Sequence, residues 1–166
     1  VVRSERALPA IDYGVASGDI GLDRAIVWAH VDRPARMIVE YATTERFTNA
    51  QRVRGPVATP ATGLTARVEL RGLPQGQQVH YRVFFEDGSD NRTVGTPALG
   101  RFRTAAATPR NVTLAWSADT VGQGWGIDAA RGGMRLFETM RQADPDLFIN
   151  VGDTIYADQP LQEQVT

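Results

Sequence analysis

The sequence predicts two structural classes in one chain: an antiparallel β-sandwich, followed by the opening βαβ unit of an α/β domain that is incomplete. Three observations carry this reading. From Ile11 to Thr104, short segments rich in β-branched and aromatic residues are separated by Gly, Pro, Asn and Asp clusters, with no helical period. From Asn111 the pattern becomes strand, loop, helix and an almost continuous apolar strand. The charge changes at the same point. Residues 1–110 hold fifteen Arg and eleven acidic residues, and residues 111–166 hold three Arg and eight acidic residues, so cation-binding chemistry is expected in the second part.

Within residues 11–104 the predicted strands are Arg24 to Val31, Arg36 to Tyr41, Thr65 to Leu70, Val79 to Phe85 and Arg101 to Thr104. In the first, Ala25, Val27, Ala29 and Val31 share one face while Ile26, Trp28 and His30 share the other. In the fourth, Val79, Tyr81, Val83 and Phe85 line one face. A span of about 95 residues with turns between short strands fits a small sandwich. Trp28 and Trp116 are expected to fill cores, and His30 and His80 to be structural. Residues 105–110, opening with three alanines, read as a linker.

In residues 111–166, Val112, Leu114 and Trp116 alternate as a strand. Leu136, Phe137 and Met140 lie at helical spacing, with Met134 three before Phe137, within a predicted helix from Ala129 to Ala143. Asp144-Pro145 ends it, because the residue before proline is pushed out of the α region. Asp146 to Val151 then reads as a strand of the kind buried in a parallel sheet. Two parallel strands joined by a crossover end on the same sheet edge, where ligands bind in open α/β sheets. That edge receives Asp119 after the first strand and Gly152-Asp153-Thr154-Ile155-Tyr156 after the second.

Two carboxylates brought together repel unless one is protonated or a cation separates them, and a hard cation is the simplest resolution. A phenol, with an ordinary pKa near 10, loses its proton readily only beside a strong Lewis acid, so Tyr156 favours a trivalent ion such as iron over magnesium. Gly152 is expected to let the backbone turn sharply before Asp153.

Two resemblances follow from these residues. Leu73-Pro74-Gln75-Gly76 before Val79, Tyr81 and Arg82 resembles the turn and strand of fibronectin type III modules, with Val79 where the corner tyrosine stands. Gly152-Asp153-x-x-Tyr156 resembles the Gly-Asp-x-x-Tyr block of iron-containing metallophosphoesterases, found in purple acid phosphatases and in the PhoD-like alkaline phosphatase and phosphodiesterase family. Gly14-Val15-Ala16-Ser17-Gly18-Asp19, with Asp23 to Trp28, is similar to the opening of the PhoD-like N-terminal domain, and Gly100-Arg101-Phe102-Arg103-Thr104 to its exit strand.

The PhoD-like resemblance implies metal-dependent hydrolysis of phosphate monoesters or diesters at a binuclear site, with Fe3+ beside a second divalent cation (Ca2+, Zn2+, Mn2+ or Fe2+). It implies Asp153 as the bridging carboxylate and Tyr156 as the phenolate on the ferric ion. Asp119 would be the first-metal ligand, although many members have Ser-Cys where this chain has Ser117-Ala118. The alternative is that Asp119 corresponds instead to the Asp of the Asp-x-Gly block of purple acid phosphatases, with Gly122 one residue late. No residue is assigned to substrate contact or to acid–base catalysis. The resemblance further implies export to the periplasm or beyond the cell.

Such sites also need an Asn-His block and two further His-containing blocks, and residues 111–166 contain no His. The chain is therefore expected to hold half a site, to be inactive alone, and to need a further C-terminal segment or a partner over its open sheet. The alternative is a non-catalytic sandwich that binds or packs. Gly122-Gln123-Gly124-Trp125-Gly126 fails the dinucleotide fingerprint at Ile127 and is expected to be an active-site loop, with Gln123 or Trp125 at the substrate mouth. No apolar run approaches the roughly 20 residues of a membrane span. The chain has no Cys and no Lys, and its Arg residues are interspersed with acids along the sequence, so no nucleic-acid surface is expected.

Overall fold

The alternating segments of residues 11–104 become eight strands in the computed structural model, which describes residues 8–87, 90–121, 130, 132–154 and 156. The chain divides into two units, Val1–Pro109 and Arg110–Thr166. In the first unit, β1 (Val15–Gly18), β2 (Arg24–His30) and β5 (Thr65–Arg71) form one antiparallel sheet in the order β1-β2-β5. β3 (Ala35–Ala42), β4 (Gln51–Ala58), β6 (Gln78–Asp87), β7 (Asp90–Val94) and β8 (Ala98–Arg103) form the other. Its order is β4-β3-β6, and β6 pairs with β8 along Gln78–Val83 and with β7 near Glu86.

The core between the sheets combines large side chains from one side with small ones from the other. Met37, Tyr81, Phe85 and Phe102 come from the second sheet, and Ala25, Val27, Ala29, Ala66, Val68 and Leu70 from the first. This leaves no room for an inward indole. Trp28 is half-buried on the outer face of β2, where the sequence reading expected a core residue. Gly100 faces Tyr81 so closely that a Cβ there would overlap the phenol and lie 2.7 Å from Cε1. Burial pushes the Tyr81 phenol above its ordinary pKa, against the opposing effect of a hydrogen bond from Ser17 in β1.

Three strands escaped the sequence reading for separate reasons. β1 has four residues, and β7 begins Asp-Asn, a pair that signals a turn. β4 contains Gly55-Pro56, and the ladder accommodates it by a register shift between Arg36 and Ile38. Gly55 also meets the facing sheet, since a Cβ there would lie 2.5 Å from Val68 Cγ2.

Val79 is buried and supplies no corner hydroxyl, but Thr104 does. The fully buried Thr104 hydroxyl donates to the Pro74 carbonyl (2.6 Å) and accepts from the Gln77 N–H (3.0 Å). The Thr104 N–H donates to the Gln77 carbonyl and the Gly76 N–H to that of Ala105, so the chain end after β8 holds the turn before β6. Ala105, read from sequence as the start of a linker, also donates its N–H to the Gly21 carbonyl.

The interspersed arginines converge in space. On the outer face of β4, β3, β6 and β8 stand Arg36, Arg52, Arg54, Arg82, Arg101 and Arg103, with Glu40 and Glu86 the acids among them. Glu86, 7% exposed, pairs with Arg52 and Arg54 at 2.8 Å each, and Glu40 with Arg82 at 2.6 Å.

In the second unit, β9 (Leu114–Ser117) and β10 (Leu147–Asn150) pair in parallel, Leu114 opposite Leu147 and Ser117 opposite Asn150. The helix between them, α1 (Arg135–Gln142), is shorter than the predicted span from Ala129 to Ala143. Gly132 and Gly133 precede it at φ 86° and 58°, a left-handed backbone that cannot continue a helix. At the other end Asp144 takes φ 47° before Pro145. Phe137 of α1 meets Phe148 of β10 edge-on, with ring centroids 5.8 Å apart. Trp116 is 63% exposed, so it fills no core within this unit.

Replacing Thr104 by Val should remove the corner hydrogen bonds while keeping shape, and destabilise the chain by about 1–3 kcal/mol. Urea denaturation checks this, with an unchanged midpoint excluding the proposed role of the hydroxyl.

Candidate metal centre at the strand ends

Parallel pairing delivers the segments following β9 and β10 to one edge, and a set of hydrogen bonds joins them. Val151 N–H donates to the Ser117 carbonyl (2.8 Å), extending the ladder by one residue. Beyond it, Asp153 N–H donates to Asp119 Oδ1 (3.0 Å) and Thr120 N–H to the Asp153 carbonyl (2.7 Å). The two segments thus hold each other through the residues predicted as ligands. Asp119, Asp153 and Tyr156 are brought together, and the Tyr156 hydroxyl lies within electrostatic reach of both carboxylates.

The electrostatics follow from that arrangement. The Asp153 backbone N–H, and after it the Tyr156 hydroxyl, hold the Asp119 carboxyl below the usual carboxylate range. The Tyr156 phenol is pushed above its ordinary value by desolvation first, then by the Asp119 carboxylate and the charge of Asp153. Without a cation, burial and the neighbouring carboxylates favour the protonated phenol. A cation bound there would take over the proton's role, and two carboxylates with a phenol are hard oxygen donors suited to a highly charged ion. Among the described residues no group of three or more His, Asp or Glu forms, so this set is two carboxylates and a phenol.

Gly152 serves this site for a reason other than the turn expected from sequence. Its φ is not in the left-handed region, but Asp119 passes directly over it. A Cβ on residue 152 would overlap Asp119 Oδ1 and lie 2.5 Å from the Asp119 backbone nitrogen.

Sequence reasoning missed Asn150 and Thr120. Asn150 Oδ1 accepts from Gly152 N–H (2.9 Å), and its Nδ2 donates to Thr120 Oγ1 (3.3 Å), bracing both segments. The available signal was a polar residue ending an otherwise apolar strand. The predicted loop Gly122–Gly126, with Gln123 and Trp125, and also Ile155, lie outside the described residues. His30 packs against Tyr13 at 5.1 Å and His80 stands on the outer face of β6, both in the first unit.

Comparison with known proteins gives a family match and a fold match. The model of the family described as PhoD-like phosphatase, N-terminal domain, matches residues 2–106. A solved structure titled "Structure of PhoD" aligns with a TM-score of 0.70 at 20% identity, covering 93% of this chain and 29% of that one. A fibronectin type III domain of human collagen XX aligns over 63% of this chain and 99% of its own, at 18% identity and a TM-score of 0.45. No curated protein matches.

Gly152→Ala should separate Asp119 from Asp153 while sparing the first unit. Amide spectra should show a shifted Asp153 N–H with unchanged sandwich resonances, and an unmoved Asp153 amide would contradict the packing argument. In the metal-free chain Tyr156 should ionise above about 10. Asp119→Asn should bring that value back towards the ordinary one, which a pH titration of the Tyr156 ring resonance would reveal.

Proposed function

The chain belongs to the PhoD-like phosphatase family, whose N-terminal domain it carries over residues 2–106, and on that premise we propose that it works within a metal-dependent phosphoric ester hydrolase. In this reading residues 11–104 are the family's β-sandwich, 105–110 the connection, and 111–166 the start of the catalytic domain. The chain spans 29% of the PhoD structure it matches, and the remaining ligands would come from segments beyond those present here. The exposure of Leu114, Leu147, Phe148 and Ile149 on the two-stranded sheet supports a covering segment.

The observation that carries the functional reading is the convergence of Asp119, Asp153 and the Tyr156 hydroxyl on one strand edge. Asp153 would bridge two cations, Tyr156 would bind the ferric one as phenolate, and Asp119 would complete that side. When bound, the pair of cations supplies Lewis acidity towards phosphoryl oxygens and water. This chain's own contribution is positional. The Asp153 amide fixes the Asp119 carboxylate, Gly152 lets that carboxylate lie close, and Asn150 braces both segments. Tyr156 must release its proton on loading, which couples metal uptake to pH: loading weakens as pH falls and protons compete for the phenol and carboxylates. Monoesters and diesters both fit this chemistry, and export from the cytoplasm is part of the same proposal.

In the full-length protein, Asp153→Asn should lower phosphatase activity at least about a hundredfold, the scale on which losses at a catalytic charge are measured. Tyr156→Phe should abolish the visible phenolate-to-iron absorption of the loaded protein. Residues 1–166 alone should not hydrolyse nitrophenyl phosphate with added metal. Turnover by this chain alone would refute the half-site, and unchanged activity in Asp153→Asn would refute the ligand assignment.

A further inference from the structure

Residues 1–110 carry fifteen Arg and eleven acidic residues, and the structure shows where that surplus lies. Among the described residues, the outer face of β4, β3, β6 and β8 holds six Arg and two Glu. That face therefore carries a net positive surplus of four. We propose that this face binds a flexible phosphodiester chain, tracked along its backbone, with single-stranded nucleic acid as the accessible representative. The proposal stands apart from the phosphoesterase reading, since it concerns binding and requires no turnover.

The geometry matches that ligand in three ways. Arg101 and Arg103 alternate along β8, as Arg52 and Arg54 do along β4, so each pair repeats about every 6.8 Å. Four strands make the face about 14 Å wide, a track for one strand. The guanidinium groups are held in place. Arg52 lies 5.3 Å from the centroid of Phe84 and Arg82 lies 4.6 Å from that of Phe47, and Glu86 and Glu40 clamp the same side chains. Each guanidinium has five donors, so these ion pairs leave donors for phosphate, and its outward plane is a surface on which a base can stack.

A membrane surface fits less well. The exposed apolar side chains on this face, Leu99 and Val57, stand on separate strands, β8 and β4, while Ile38 and Phe84 are buried among the Arg stems. Among the described residues, no contiguous apolar patch on this face is available to enter a bilayer.

The test is fluorescence anisotropy of a labelled oligothymidylate with the chain of residues 1–166 over a series of salt concentrations. Binding should weaken with salt with a log–log slope of about −3, from about −0.7 for each phosphate neutralised by the four net charges. Arg101→Ser with Arg103→Ser should weaken binding about tenfold and make the slope shallower by about 1.4. Arg67→Ser with Arg71→Ser, exposed on β5 of the other sheet, should leave both unchanged. Arg101→Glu alone is the second variant, expected to weaken binding more than Arg101→Ser. Absence of saturable binding at low salt, equal loss in both double variants, or preferential capture by phosphatidylglycerol vesicles would each overturn the proposal.

Discussion

The gap between the two sandwich sheets is filled with large side chains from one sheet and small ones from the other, and close packing at interior density makes that asymmetry constrain its surroundings. Tyr81, Phe85, Met37 and Phe102 occupy the gap from the second sheet, and the first contributes Leu70 with otherwise only Ala25, Ala29, Ala66 and valines from its strands. Gly100 is obliged to be glycine by the Tyr81 ring, and Gly55 by Val68. Trp28 is directed outward, and Thr104 anchors the turn before β6 where a tyrosine corner would otherwise serve. Each of these assignments follows from volume or from the cost of an unpaired buried polar group, independently of any ligand.

In the second unit the governing constraint is electrostatic. Parallel pairing of β9 with β10 places two carboxylates, 34 residues apart, at one edge. The Asp119 carboxylate accepts a hydrogen bond from the Asp153 amide, and the charge on both residues disfavours loss of the Tyr156 proton. The two carboxylates and the Tyr156 oxygen are the groups a hard cation would use. The close approach depends on Gly152, because any side chain there would occupy the position of the Asp119 carboxylate.

The arginine face arises from the period-two alternation of strands acting together with register. Arg52 and Arg54 share a face because they are two apart, as do Arg101 and Arg103. Only the pairings of Arg52 with Glu40, Glu40 with Arg82, and His80 with Arg101 bring those separate pairs onto one surface. Along the chain the same residues are divided by acids and turns, which is why linear spacing gave no sign of a basic surface.

What could be read from the sequence was governed by local physics. The two fold classes, the inward faces of β2 and β6, the parallel strand pair and the sheet edge carrying Asp119, Asp153 and Tyr156 follow from residue periodicity and from turn chemistry. The strand β4 was hidden because Gly55-Pro56 breaks its local pattern, and the start of α1 was misplaced because the glycine pair before it adopts a left-handed backbone. The use of Gly152, the bracing role of Asn150, the substitute corner at Thr104 and the gathering of six arginines were decided by tertiary structure alone. Each depends on atoms far apart in the chain meeting within a few ångströms, and neither periodicity nor composition encodes such distances.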